Sequence, residues 1–206
     1  AAILYKDIMS PMVAIGVNVD IKPGVGPVFD TPIRRIEDIE RLHTFDATKV
    51  EYIAKTIELL TTEVLDVPLI GFCGAPFTIA SYLIEGGPTK NYNKTRGMLI
   101  SEPEIWNGLM EKLADMSIEY LSMQARAGAN ALQIFDSWVG AVNSTEYEQA
   151  IFPHMKRIIS TVKSRFPNLS LAMNGVGTDH LVSTWAKLPL DVIALDWRSS
   201  IGAAKD

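Results

Sequence analysis

Four polar groups stand at the ends of short apolar runs: Asp7 after residues 1–5, Asp136-Ser137 after 129–135, Asn174 after 169–173 and Asp196 after 192–195. An apolar run that stops at a carboxylate or amide reads as a buried strand delivering that group to one edge of a sheet. A carboxylate there can accept N–H groups, stabilise a cation or move a proton. Any single Asp, Asn or Ser in such a place also suits a turn or a helix cap. Four together favour one shared site. Tyr82 follows the glycine-rich exit of a fifth run, residues 67–74, and is expected on the loop beyond it, facing a ligand. Taken alone it also suits a core tyrosine with a satisfied hydroxyl. Asp136 and Ser137 are neighbours on an extended chain, so only one of them can face the interior, and Gln133, Phe135 and Ser137 share a side.

Other chemistry-bearing residues carry weaker signals. Gly175-Val176-Gly177 has His180 where a third glycine would complete a nucleotide-binding loop. His43 and His154 sit on polar helices. Cys73 lies inside an apolar strand with no histidine near it in sequence, which fits a small buried residue better than a nucleophile.

The elements that position these groups alternate. A short excursion over residues 16–30 reads as hairpin-like, with a turn at Pro23-Gly24-Val25-Gly26-Pro27. Ile36, Ile39 and Leu42 share a helical spacing. Asp46 can cap the next helix, whose face is Val50, Ile53, Ile57 and Leu60. In the central stretch Gly71 and Gly74 allow close approach to the backbone, and Pro76 ends strand pairing. Residues 88–96 read as a polar loop. Ser101 and Glu104 have capping-box spacing before a long helix with the stripe Ile105, Leu109, Leu113, Met116 and Tyr120, closed by Gly128. Thr145 and Glu148 repeat that spacing over 144–166, which Pro153 divides. A short helix covers about 179–187. Five strands alternating with helices make a parallel sheet, and polar groups at several strand exits favour a TIM barrel over a doubly wound sheet.

The 206 residues suit one domain, and the net charge of -5 argues against nucleic acid as a partner. One cysteine excludes a disulfide framework and any multi-cysteine metal site, and it is consistent with a reduced compartment. No apolar run reaches the roughly 18 residues of a membrane span. The first residue is not Met and falls directly on a strand-like run, so the sequence is expected to be a piece of a longer protein.

Taken together, these motifs resemble the uroporphyrinogen decarboxylase family of haem biosynthesis. The carrying stretches are residues 1–8, Gly26-Pro27, 68–76, 82–87, 133–140 and 195–197. The resemblance implies a (β/α)8 barrel of which strands two to six fall in this sequence, as a single incomplete domain over residues 1–206. It implies a cytoplasmic homodimer that uses no metal and no organic cofactor, with no membrane or nucleic-acid partner. The implied reaction removes carbon dioxide from the four acetate side chains of uroporphyrinogen III, giving coproporphyrinogen III. Asp7 matches the aspartate that binds the pyrrole N–H groups. Tyr82 and Ser137 match substrate-binding positions. The family's arginine-rich motif and its last strands would fall outside residues 1–206.

Two rival readings come from the same features. Methyltransferases of the same superfamily generally hold zinc with Cys and His ligands, and Cys73 stands alone here. A non-catalytic tetrapyrrole-binding protein is the other, and turnover of uroporphyrinogen decides against it.

Overall fold

The structure, a computed structural model, describes residues 1–24 and 26–202, with Ile21 described by its backbone alone; Val25 of the expected turn and residues 203–206 lie outside the described residues. Strand β1 (Ala2–Ile3) leads through a 3-10 turn (Ser10–Ile15) into a hairpin of β2 (Asp20–Lys22) and β3 (Gly26–Val28). Helix α1 (Ile36–Glu40) and helix α2 (Glu51–Leu59) come next, the second entered by a turn that Asp46 caps through the Thr48 N–H at 3.0 Å. Strand β4 (Leu69–Gly74) then runs into α3 (Pro76–Glu85), followed by α4 (Asn93–Ser101) and the 24-residue α5 (Pro103–Arg126). The remainder is β5 (Ala131–Asp136), α6 (Ser144–Ala150), α7 (Phe152–Arg165), β6 (Ser170–Gly175), α8 (Val182–Trp185) and β7 (Val192–Ala194).

The sheet order is β1-β4-β5-β6-β7 and every pairing is parallel. Consecutive strands are neighbours, joined by helical crossovers. That is the arrangement of an arc of a (β/α)8 barrel, in agreement with the expected fold class. Leu132, Ile134, Leu171 and Met173 are buried against the helices, while their alternate neighbours Gln133, Phe135, Ala172 and Asn174 stay half-exposed on the other face. The stripe of α5 is as expected: Leu109, Leu113, Met116 and Tyr120 are fully buried.

Three local expectations are corrected. Ser101 does not cap α5; it is the last residue of α4, because the Glu102 N–H still bonds the Met98 carbonyl at 2.9 Å, and Pro103 then starts α5 directly. The capping box before α6 is Asn143 with Glu146, not Thr145 with Glu148. The stretch 88–96 is loop only as far as Tyr92, where α4 begins.

One seam holds the site end of the sheet. Strand β1 stays beside β4 only to Leu4, whose N–H bonds the Ile70 carbonyl at 2.9 Å. Phe72, two residues further on, turns its N–H and C=O to a side where no strand lies among the described residues. Buried Gln124 of α5 takes both ends of it: its Oε1 accepts from the Phe72 N–H and its Nε2 donates to the Phe72 carbonyl, each at 2.9 Å. Only glycine at position 71 leaves room, since a Cβ there would come 2.7 Å from Gln124 Oε1. A buried peptide group left unpaired costs about 1–3 kcal/mol. Replacing Gln124 by Leu leaves the Phe72 N–H unpaired and its carbonyl with only the 3.4 Å bond from Lys6 Nζ, so Gln124→Leu is expected to lower unfolding stability by roughly 1–3 kcal/mol in denaturant titration.

Candidate functional site

Parallel strands all end at one edge of the sheet, so the exits after β1, β5, β6 and β7 share a mouth. Burial along the first exit alternates. Leu4 is buried, Tyr5 is 98% exposed, Lys6 is partly buried and Asp7 is exposed. Asp7 is fixed by a local turn in which one carboxylate oxygen accepts the Met9 N–H at 2.8 Å and its own carbonyl accepts the Ser10 hydroxyl at 2.7 Å.

Tyr82 is not on a loop. It lies in the last turn of α3, which Pro76 starts and Gly86 ends with φ +84°. It is half-buried, and burial together with the charge of Asp7 raises its phenol above the ordinary value, so the two groups are within electrostatic reach. Its ring lies 4.0 Å from that of Trp138 at 34°. Asp7 and Tyr82 face the mouth together, and Ser137, which precedes Trp138, stands at the exit of β5.

Asp136 does not face the mouth. It is fully buried behind the strand, facing the helices, and accepts the Thr78 hydroxyl of α3 at 2.8 Å. The same Thr78 oxygen accepts the Trp138 N–H at 3.2 Å, so Asp136 and Thr78 anchor the chain at Ser137-Trp138 from behind. The other Asp136 oxygen, the Tyr147 hydroxyl, the Trp185 indole N–H and Asn174 Oδ1 are buried without a hydrogen-bond partner among the described residues. Asp196 is turned back to the Gly177 N–H at 2.7 Å and to Arg198 at 2.7 Å. His180, in the turn after β6, bonds the Val142 carbonyl at 2.8 Å, and Cys73 is buried within β4.

The structure adds residues that spacing did not single out. Tyr92 joins the aromatic group, its ring 5.3 Å from that of Trp138 and tilted at 56°. It is the one non-glycine residue with positive φ among the described residues, at φ 52°. That backbone costs on the order of 1–2 kcal/mol, which the ring contact helps to offset. A hollow of about 420 Å³ is lined by Lys112 and by two paired arginines, Arg157 with Asp115 and Arg165 with Glu119. Among the described residues, no three His, Cys, Asp or Glu side chains are grouped to hold a metal, and no helix is long and apolar enough to cross a membrane.

Fold and mouth together define an arc of an α/β barrel that presents one exposed acid beside an aromatic wall. Comparison with known proteins gives that class its family. The profile of the family described as uroporphyrinogen decarboxylase (URO-D) matches residues 1–206. A uroporphyrinogen decarboxylase of Geobacillus sp. (strain WCH70) is 58% identical over 207 residues, covering 100% of this chain and 59% of that protein. Those of Bacillus pumilus (strain SAFR-032) and Bacillus cereus (strain AH820) are each 57% identical over 206 residues, covering 58% and 59% of those proteins. The chain belongs to the uroporphyrinogen decarboxylase family. It spans a little under three fifths of the length of the curated relatives it matches. Among solved structures, a methyltransferase from Methanosarcina mazei superposes with a TM-score of 0.80 at 16% identity, covering 100% of this chain and 60% of that one, a likeness of fold alone.

Burial raises the Asp136 carboxyl from the usual carboxylate value to about 7. The folded state therefore binds its proton more tightly than the unfolded chain does, and its contribution to stability is lost as pH rises from about 4 through about 7. Asp136→Asn keeps an acceptor for Thr78 and cannot ionise. Its melting temperature relative to the parent is expected to rise between pH 5 and pH 8; a pH-independent difference in thermal melts contradicts this.

Proposed function

We propose that this chain supplies the Asp7 side of the active site of a cofactor-free decarboxylase acting on uroporphyrinogen III. In this reading it is one barrel domain of a cytoplasmic homodimer. The observation that carries it is the exposed Asp7 carboxylate at the mouth, with Tyr82 in electrostatic reach and Ser137 on the next exit, inside a chain of this family.

Each step breaks the bond between an acetate methylene and its carboxyl carbon. Carbon dioxide leaves, and the electron pair needs an acceptor. A pyrrole protonated at a ring carbon is a cation that takes the pair into the ring. A proton then adds to the former methylene carbon, giving a methyl group, and the ring carbon loses its extra proton. Four such steps convert four acetates to methyls and yield coproporphyrinogen III. The gain comes from stabilising the cationic ring more than the neutral one. A fixed carboxylate facing the pyrrole N–H groups does that through charge-assisted hydrogen bonds. The Met9 N–H on one Asp7 oxygen holds the carboxylate direction before substrate arrives. Tyr82 and Ser137 bind the substrate, and the Tyr82–Trp138 stack forms a wall beside the acid.

In the full-length protein, Asp7→Asn is expected to keep the fold and lose about 10²- to 10³-fold in uroporphyrinogen turnover. Near-parental turnover in that variant rejects the role. Tyr82→Phe keeps the stack and removes the hydroxyl, so a smaller loss, mainly in KM, is expected from steady-state kinetics. Unfolding of Tyr82→Phe by circular dichroism shows instead that the hydroxyl is structural.

A further inference from the structure

We infer that Lys6 is a positioning residue for Asp7: its ammonium, clamped between β4 and α5, holds the segment after β1 so that the next residue faces the mouth. This rests on the reading of Asp7 given above.

Past Leu4 the strand has left β4, and sheet hydrogen bonds no longer direct the chain. Alternating burial nevertheless continues through Tyr5, Lys6 and Asp7. The contacts that sustain it belong to Lys6. Its Nζ donates to the Phe72 carbonyl at 3.4 Å, the same carbonyl that Gln124 serves, and to the Tyr120 hydroxyl of α5. It also lies over the Phe72 and Tyr120 rings, 4.3 Å from each centroid. Two aromatic faces and two oxygen acceptors make a cage suited to a cation. A side chain held behind an extended segment turns its neighbour to the front.

The groups facing this ammonium are the Cys73 thiol on β4, the Tyr120 phenol on α5 and the Asp7 carboxylate beside it. Burial pushes the thiol up to about 11 and raises the phenol, so both stay neutral while Lys6 titrates. Burial draws Lys6 itself down to about 8, with Cys73 and Asp7 opposing the shift. Below that pH the cage holds a cation; above it the amine is neutral and the grip weakens.

The test uses the full-length protein, uroporphyrinogen III and pH profiles of kcat/KM from pH 6 to 9.5. The parent is expected to lose kcat/KM through an alkaline limb near pH 8. Lys6→Met keeps length and apolar contact but not charge. It is expected to melt no lower than the parent at pH 7, since a buried charge is removed. Its kcat/KM at pH 7 should fall at least tenfold, and the alkaline limb should vanish, because a displaced carboxylate forfeits much of its effect. Tyr120→Phe, which removes one acceptor and keeps the ring, is expected to move the limb to lower pH; it decides the matter if Lys6→Met does not fold. Folded Lys6→Met with parental kcat/KM and profile overturns the inference, as does an unmoved limb in Tyr120→Phe. Asp7→Asn run alongside separates the two readings. If it is inactive while Lys6→Met behaves as the parent, the positioning role alone fails. If Asp7→Asn turns over normally, the role of Asp7 fails and this inference with it.

Discussion

When β1 peels away from β4, the peptide group of Phe72 is left inside the core without a strand to pair with. Water cannot reach it, so something else must. Gln124 answers with an amide, which presents one donor and one acceptor in the same plane as the peptide it replaces. Everything at this end of the sheet is arranged around that substitution. Gly71 has no side chain because Gln124 occupies the space. Helix α5 is fixed in rotation by where Gln124 must point. The freed segment after Leu4 can then turn outward and carry an acid to the mouth.

The pleat divides the chemistry from its support. Residues on the open face, with Ser137 and Asp7 beyond the strand ends, are available to a ligand. Residues on the covered face do the holding. Asp136 and Thr78 fasten the Ser137-Trp138 turn from behind, and Lys6 lies behind Asp7. The same alternation operates at both exits: Asp136 is buried beside Ser137, and Lys6 is partly buried beside Asp7. The Asp136 carboxyl in that covered layer is raised by burial to about 7.

The parallel sheet was legible because continuous apolar runs alternating with 3.6-period helices leave few other topologies. The close approaches at Gly71 and Gly74 were legible too, and the structure fills both spaces with side chains. The cap before α6 was not. Asn143 to Glu146 and Thr145 to Glu148 offer the same spacing, and local chemistry cannot choose between them. Tertiary partners choose: the Thr184 hydroxyl and Lys187 occupy Glu148, leaving Glu146 for the cap. Spacing said that only one of Asp136 and Ser137 could face inward, but not which; the hydroxyl that draws Asp136 outward is on Thr78, 58 residues earlier. Lys6 gave no signal at all, since its partners are 66 and 114 residues away. Tyr92 passed as part of a polar loop, and only its backbone conformation marks it out.

The aromatic wall is carried by different parts of the chain from the acid. Tyr82 ends a helix, Trp138 follows a strand and Tyr92 precedes another helix, so each ring hangs on a terminus and not on the sheet. Such positions tolerate exchange without disturbing the pairing of β4 with β5. Selection can therefore reshape what the mouth admits while leaving the acid and its scaffold untouched.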